Sequence, residues 1–333
     1  MSDISRSGSC GSIHDDESNG GTMSITNVLT VDVEDYFHVE AFADCVPKTQ
    51  WALCSPRVEQ NVDRILAILD RYDVTATFFV LGWVARKFPL LIRRVANAGH
   101  EIGCHGSNHD HLHRLSPEEF REDIRSARKR LMDLSQQPVV SYRAPSFSVT
   151  KQTLWALDIL GEEGFIFDSS IFPVRHDLYG IPAAPRFPHW YRTPNGNAIF
   201  EFPPSTVRYW NNNWAVAGGG YLRLFPYFIT RWAIQQINHK EHQPAMVYFH
   251  PWEIDPEQPR ISAPWRSRLR HYTNLKTTAI KLERLLQEFR FTSFSRVCQG
   301  LESFQPYSSR RLSSNERQRL RIADMQLLED IKK

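Results

Sequence analysis

Short apolar runs alternate with amphipathic helical patterns along most of this chain, and that alternation limits the folds it can adopt. Residues 245–249 are typical of a buried strand, whereas the Ser116-Pro-Glu-Glu capping box begins a predicted helix with Phe120 and Ile124 on one face. Alternating strands and helices predict a parallel sheet with right-handed crossovers, an α/β fold. Reactive side chains are expected where its strands end.

The same patterns predict the order of the elements. A long loop is expected between residues 249 and 275, and a helix is expected to start at Ser55-Pro56, with Ser at the N-cap and Pro at the first position. Further helices are predicted over 82–98, 150–160, 225–238 and 275–289, and strands at 74–80, 100–104, 139–142, 164–167, 198–202, 245–249 and 292–294.

Three carboxylates, Asp32, Glu34 and Asp35, end the apolar run that starts at Leu29. Alternate residues of a strand share a face, so Asp32 and Glu34 should point the same way. Carboxylates crowded at one strand end repel one another unless a cation or a proton intervenes, which favours a chemical site. The alternative is an acidic turn that caps the next segment.

Four histidines, at positions 105, 109, 111 and 113, follow another predicted strand. Three imidazole or carboxylate ligands with one open position make a hydrolytic metal site, and His105 and His109 could supply two of them. His111 and His113 are expected to be loop residues rather than ligands. Two more polar residues, Arg143 and His250, also follow predicted strands and precede a rigid proline turn.

Size and composition narrow the class of protein. With 333 residues, 41% hydrophobic and 23% charged, the chain can form one large α/β unit. A net charge of +3 makes nucleic acid an unexpected partner, and five cysteines without a CxxC pair indicate neither a disulfide framework nor a zinc finger. No apolar stretch predicts a transmembrane helix, and the N-terminal residues do not resemble a signal peptide, so a cytoplasmic location is expected.

Three regions are predicted along the chain. Residues 1–23 are expected to be a disordered extension, which makes Met23 a possible alternative start, and residues 24–300 are expected to form the α/β unit. Residues 301–333 are basic and amphipathic, typical either of a docking helix or of a solvated appendage. Residues 171–214 are an insertion rich in proline, whose aromatic residues either stack on a sugar or pack the loop: Trp190, Tyr191, Tyr209, Trp210 and Trp214.

Four motifs, in this order, resemble those of the NodB-type polysaccharide deacetylases of carbohydrate esterase family 4. The resemblance spans residues 27–295, and its motifs are Asp32-Val-Glu34-Asp35, His105-Gly-Ser-Asn-His109, Arg143-Ala-Pro145 and Phe249-His250-Pro251. The phrases around Asp32 and His250 look more specifically like deacetylases from exopolysaccharide gene clusters of exosortase (PEP-CTERM) bacteria. That subgroup is similar to peptidoglycan deacetylases and to allantoinases.

The resemblance implies a distorted (β/α) barrel and a role for each motif residue. Asp32 would be the general base, oriented by Arg143, and His250 the general acid. A divalent metal, by default zinc, would be bound by His105, His109 and a carboxylate. Most family members have a second aspartate directly after the base, where this chain has Val33. Glu34 then takes the ligand role, with Asp35 as the rival.

The resemblance also implies a reaction: removal of N-acetyl groups from amino sugars of a polysaccharide or its lipid-linked precursor, during exopolysaccharide biosynthesis. The expected partners are an N-acetylated glycan and the membrane-bound polysaccharide synthesis machinery. One alternative is an allantoinase-like hydrolase of a small cyclic amide. The others are hydrolysis of acetylated polyamines or proteins, and a catalytically silent glycan-binding protein.

Overall fold

The computed structural model describes residues 25–301, apart from residues 177, 178, 194 and 217. Its strands are β1 (Thr26–Val33), β2 (Thr77–Val80), β3 (Glu101–Cys104), β4 (Ser141–Tyr142), β5 (Phe167–Asp168), β6 (His189–Arg192), β7 (Ala198–Glu201), β8 (Thr206–Tyr209), β9 (Asn212–Ala215), β10 (Met246–Phe249) and β11 (Arg290–Thr292). Its α-helices are α1 (Val58–Arg71), α2 (Gly82–Lys87), α3 (Pro89–Asn97), α4 (Pro117–Ser135), α5 (Trp155–Glu162), α6 (Gly219–Leu224), α7 (Tyr227–Gln235), α8 (Trp265–Tyr272), α9 (Leu275–Glu288) and α10 (Phe294–Gly300).

Nine strands form one sheet in the order β10-β1-β2-β3-β4-β5-β7-β6, with β11 added to the start of β1. Neighbouring strands are parallel except for the antiparallel pair β6–β7. Among the described residues, no strand pairing joins β10 to β7 and closes the sheet into a barrel. Between these two strands, the Met246 amide donates to the Ser205 hydroxyl at 2.7 Å. The predicted α/β class and parallel sheet are therefore confirmed.

The core lies between the sheet and the apolar faces of the helices. On α1, Val62, Ile65 and Leu69 are fully buried, as their helical spacing requires. On α4, the predicted capping box is present, because the Ser116 hydroxyl accepts from the Glu119 amide at 3.2 Å and the Glu119 carboxylate accepts from the Ser116 amide at 2.8 Å. The face predicted from Phe120 and Ile124 is buried.

Some predicted element boundaries were wrong. Helix α1 begins at Val58 rather than at Ser55-Pro56, because the carboxylate of Asp35 accepts from the amides of Arg57 (2.7 Å) and Val58 (3.0 Å) and so caps the helix there. The helix predicted over 82–98 is two helices, since Pro89 has no amide hydrogen to continue the first. The strands predicted at 164–167 and 292–294 share only one residue each with β5 and β11.

Two regions contain more regular structure than was predicted. Helix α8 lies inside the segment expected to be a long loop. The segment 171–214 contains β6, β7 and most of the β8–β9 hairpin, and of its aromatic residues Tyr191 is buried in the core, whereas Tyr209, Trp210 and Trp214 are exposed. The predictions for residues 1–23 and 302–333 fall outside the described residues. Within the described part, no helix is both long and apolar enough to cross a membrane.

Candidate active site and metal centre

A pocket of about 470 Å³ opens at the carboxyl ends of the parallel strands. Asp32, Glu34, His105, His109 and His250 all line it. The sixth residue singled out from the sequence, Arg143, is fully buried behind the wall and contacts Asp32. The structure thus brings together all six predicted site residues, which come from β1 and from the segments that follow β1, β3, β4 and β10.

Glu34 and two histidines form a compact cluster that could bind a metal ion. One carboxylate oxygen of Glu34, Oε1, lies 3.0 Å from Nε2 of both His105 and His109, and all three side chains are buried. The other ring nitrogen of His105, Nδ1, lies 2.7 Å from the Arg143 carbonyl oxygen. That carbonyl can accept only from a protonated Nδ1, which leaves Nε2 free to bind a metal.

The electrostatics of this cluster also fit a cation. Burial raises the pKa of Glu34, but the nearby imidazoles of His109 and His105 outweigh that effect and hold the pKa well below its usual range. His109 adopts a left-handed backbone conformation (φ 56°), which is uncommon for a residue with a side chain. Two imidazoles and one carboxylate that converge on one point form the donor set of a hydrolytic metal site with open positions.

Asp35, the rival ligand, lies outside this cluster. Its Oδ1 accepts from the Tyr36 amide at 3.0 Å, and its Oδ2 caps helix α1. Burial raises its pKa to about 6, although these amides oppose the rise. Consecutive carboxylates therefore have separate tasks, since Glu34 faces the pocket and Asp35 anchors a helix. The geometry favours Glu34 as the third ligand.

Asp32 is fixed by a buried ion pair. An Nη1–Oδ1 distance of 2.6 Å joins Arg143 to Asp32, and the same guanidinium donates to the hydroxyls of Thr30 (2.7 Å) and Ser169 (3.0 Å). It also lies 4.4 Å from the centre of the Phe79 ring. A guanidinium held at so many points has little freedom, so it can orient one carboxylate oxygen and leave Oδ2 toward the pocket.

His250 faces that free oxygen across the pocket. Its Nε2 lies 3.9 Å from Asp32 Oδ2, while its Nδ1 lies 3.1 Å from the buried Glu253 carboxylate. Glu253 in turn accepts from Arg223 at 3.1 Å. Burial lowers the pKa of His250, but Glu253, Glu34 and Asp32 outweigh it and raise the pKa to about 9. His250 is therefore protonated at neutral pH and can donate a proton.

Glu253 and Ser169 were missed in the sequence. A signal for Glu253 was available, because His-Pro-Trp-Glu has the spacing of a capping box and the structure contains that box. Ser169 gives no such signal, since a serine after a strand is common. His111, expected to be a loop residue, is buried with Nε2 3.1 Å from Glu40, whereas His113 is exposed.

The opposite wall of the pocket depends on glycine. Gly218 pairs with Tyr248 as a parallel bridge, and a Cβ at Gly218 would lie 1.9 Å from the Tyr248 ring. Only glycine lets the main chain approach that ring so closely. Gly219 and Gly220, which follow Gly218, line the pocket. The pocket is also lined by Phe147, Tyr179, Tyr221 and Trp252.

Comparisons with known proteins agree with this geometry. Residues 44–164 match the family model described as "Polysaccharide deacetylase", and residues 169–299 match a domain of unknown function, DUF3473. A peptidoglycan-N-acetylglucosamine deacetylase of Bacillus cereus is 35% identical over 96 residues, which are 28% of this chain and 35% of that protein. A chitooligosaccharide deacetylase of a Bradyrhizobium species is 29% identical over 96 residues, 29% of this chain and 42% of that protein. The chain thus spans less than half the length of these curated relatives.

Two solved structures share the fold. A Mycobacterium smegmatis protein assigned as a polysaccharide deacetylase superposes with a TM-score of 0.56 at 17% identity, covering 84% of this chain and 91% of that one. The allantoinase Puue gives the same TM-score at 14% identity, covering 85% and 91%. The predicted α/β fold of the distorted-barrel kind is thus confirmed. The polysaccharide deacetylase model and the curated relatives thus show that residues 44–164, with the part of the chain that the relatives match, are similar to that family.

Proposed function

We propose that this protein is a metal-dependent hydrolase that removes N-acetyl groups from amino sugars of a glycan. One observation supports the proposal most directly. A carboxylate held by Arg143 and an imidazolium held by Glu253 face each other across the pocket, beside a cluster of two histidines and a glutamate. Hydrolysis of an amide needs these parts: a base for water, an acid for the departing amine, and a positive centre for the developing oxyanion.

Each residue has a step in the proposed reaction. When bound to Glu34, His105 and His109, a divalent ion would polarise the amide carbonyl and acidify a water molecule. Asp32 Oδ2 accepts the water proton, while Arg143 keeps the carboxylate aimed at the pocket. His250 donates its Nε2 proton to the amine nitrogen as the C–N bond breaks, and Glu253 stabilises its charged form. General acid–base catalysis of this kind contributes about 10²- to 10⁴-fold.

Zinc is the proposed ion. Two imidazoles and a carboxylate with open positions are typical of catalytic zinc, although the same donors also bind iron, cobalt or nickel. The proposed substrate class follows the curated relatives, which are deacetylases of peptidoglycan and of chitooligosaccharides. The pocket is within the range of about 300–1,000 Å³ that is usual for small-ligand sites and can hold a sugar residue.

The biological setting is also part of the proposal. The phrases Val31-Asp-Val-Glu-Asp-Tyr-Phe-His38 and Tyr248-Phe-His-Pro-Trp-Glu-Ile-Asp255 support assignment to the deacetylases of exosortase (PEP-CTERM) exopolysaccharide clusters. We therefore propose a glycan of exopolysaccharide biosynthesis as the substrate. Modification of a lipid-linked repeat unit at the cytoplasmic membrane face, beside the synthesis machinery, fits a cytoplasmic protein. Fractionation of the native host tests the location, and a periplasmic protein would contradict it.

A second candidate is an allantoinase-like hydrolase of a small cyclic amide. The observation in its favour is that an allantoinase and a deacetylase superpose on this chain with equal TM-scores. The fold alone therefore does not separate the two reactions. Release of a ureido product from allantoin, without acetate release from sugars, would select this candidate.

Acetate release is the decisive test. The protein is stripped with a chelator and assayed on N-acetylglucosamine oligomers before and after reloading with zinc or cobalt. We expect acetate only after reloading, and none from the His105→Ala variant at the same metal concentration. His113→Ala, which changes an exposed histidine of the same segment, is the matched control and should retain activity. Equal acetate release with and without metal would remove metal dependence from the proposal.

A further inference from the structure

The β8–β9 hairpin carries an exposed aromatic tip whose role the reaction above does not explain. Tyr209, Trp210 and Trp214 are 57%, 83% and 57% exposed, far more than is usual for such large aromatic side chains. The rings of Tyr209 and Trp210 are nearly parallel, with an interplanar angle of 11° and centres 5.3 Å apart. An outer aromatic face thus remains open to solvent at the tip.

The backbone at this tip is strained. Trp210 and Asn211 form the turn, and both are left-handed, with φ of 46° and 57°. Hairpin turns of this kind favour Asn-Gly, because a bulky side chain disfavours positive φ. A tryptophan here costs conformational energy and gains little burial in return, since it stays 83% exposed. Strain of this kind is more often retained for a function than for stability.

The hairpin is continuous with the candidate active site. Two contacts hold the hairpin in place. The Asn213 side chain, close to the turn, donates to the Pro173 carbonyl at 2.8 Å, and Ala215, at the base, packs in a cluster with Phe147 and Tyr248, which line the pocket. The four residues of β9 extend about 10–13 Å at the usual rise per residue. The tip is therefore separated from Ala215 by about that length of strand, and a ligand that reaches both the tip and the pocket must extend beyond the pocket.

The chemistry of the tip fits a glycan. The C–H hydrogens on one face of a pyranose can pack on the face of an aromatic ring, because that face of the ring carries partial negative charge. Asn211 and Asn212 at the turn offer amide donors and acceptors for sugar hydroxyls. Arg208 is the single charged side chain of the hairpin, whereas a surface built for anionic lipid would carry several cations.

We propose that the β8–β9 tip is a remote stacking site for an extended chain of N-acetylated sugars, so that the preferred substrate is an oligomer or polymer rather than a single amino sugar. This inference rests on the proposed function and specifies its substrate class. A ring stacked on Trp210 would anchor the chain while another ring of the same chain occupies the pocket.

The test compares the β-linked dimer and hexamer of N-acetylglucosamine in Trp210→Gly. Glycine relieves the strain, so the melting temperature should stay level or rise, whereas a structural role would lower it. We expect KM for the hexamer to rise about three- to ten-fold, with KM for the dimer and kcat for both unchanged. Trp232→Ala, a half-exposed aromatic on α7 outside the pocket lining, should change neither.

A binding measurement separates this inference from the proposed reaction. Calorimetry of the hexamer with Asp32→Asn, and with Asp32→Asn combined with Trp210→Gly, needs no turnover. Weaker binding in the double variant supports the stacking site. This holds even if the natural protein releases no acetate, because the absence of acetate release would reject only the proposed reaction. Equal binding, or loss of anionic phospholipid vesicle binding instead, would overturn the stacking site.

Discussion

Two pairs of buried acidic residues lie at the same edge of the sheet, and the two pairs balance their charge by opposite means. Asp32 is paired with the Arg143 guanidinium, and the imidazoles of His109 and His105 hold the pKa of Glu34 well below its usual range. Asp168 and Glu201 lie at the paired ends of the neighbouring strands β5 and β7, and Asp168 Oδ2 and Glu201 Oε2 are both buried without a hydrogen-bond donor among the described residues. Burial raises both of their pKa values, that of Glu201 well above the usual range, so this pair shares a proton.

The difference separates a reactive site from its support. The charged group opens into the pocket and can exchange protons with a substrate. The proton-sharing pair holds the segment that braces the site: Asp168 accepts from the Ser170 hydroxyl at 2.6 Å, and that hydroxyl accepts from the Ala144 amide at 2.8 Å, next to Arg143. Buried carboxylates therefore indicate catalysis only where other groups keep them charged and accessible.

The strongest test of the reactive group is Asp32→Asn. The amide cannot accept the water proton, so we expect kcat to fall about 10²- to 10⁴-fold while bound metal, measured by elemental analysis, stays at the level of the natural protein. Glu34→Gln should instead lower the amount of bound metal, because it removes the carboxylate that lies beside both histidines. Full activity in Asp32→Asn would remove Asp32 from the role of base.

Glu253→Gln tests how the acid is maintained. Glu253 raises the pKa of His250, and a general acid loses activity as pH rises through its pKa. Without that carboxylate the pKa falls, so the alkaline limb of kcat/KM should move to lower pH, with kcat reduced about ten-fold or more. Glu257→Gln changes an exposed neighbour and is the control. An unmoved alkaline limb would show that Glu253 does not tune His250.

Asp35→Ala separates the two adjacent acidic residues. It removes the cap of α1, and we expect a loss of about 0.5–2 kcal/mol in the free energy of unfolding, measured with urea. Asp35→Ser, which can still cap, should recover part of that loss. Bound metal should be unchanged in both variants. Loss of metal without loss of stability would make Asp35 the ligand in place of Glu34.

Glu201→Gln tests the proton-sharing pair through the pH dependence of stability. The folded-state pKa of Glu201 lies above the unfolded value of about 4.3. The contribution of Glu201 to folding stability is therefore fully present below the unfolded pKa and is lost as pH rises toward the folded pKa. The neutral amide imitates the protonated form. As the pH rises from 5 to 8, the variant should therefore gain stability relative to the natural protein. The limiting slope for one proton is about 1.4 kcal/mol per pH unit, and the measured slope should be smaller than this limit.

The exposed variant Glu122→Gln should show no such pH dependence relative to the natural protein. If the Glu201→Gln variant instead loses stability relative to the natural protein as pH rises, both carboxyls of the pair are charged. The comparison between the two carboxylate groups would then fail, because both would depend on nearby cations.

Local patterns predicted which residues would converge at the strand ends, but not the groups that support them. Asp32, Arg143 and His250 could be found because each follows an apolar run, and parallel strands bring their carboxyl ends to one edge. The Asp35 cap of α1 joins residues 22 and 23 positions apart, so no local pattern could indicate it. Prolines in 171–214 suggested irregular structure, but the cross-strand partners of β6 and β8 were not evident from either strand alone.

The contact between Gly218 and Tyr248 has a consequence for how this pocket can change during evolution. Every substitution at Gly218 would place a carbon inside the space of the Tyr248 ring, so that stretch of wall can vary only if both positions change together. The exposed side chains of the hairpin tip, Tyr209, Trp210 and Trp214, project into solvent and have no such clash. Under the proposed stacking role of the tip, glycan preference can therefore change there one substitution at a time, while the wall of the pocket stays fixed.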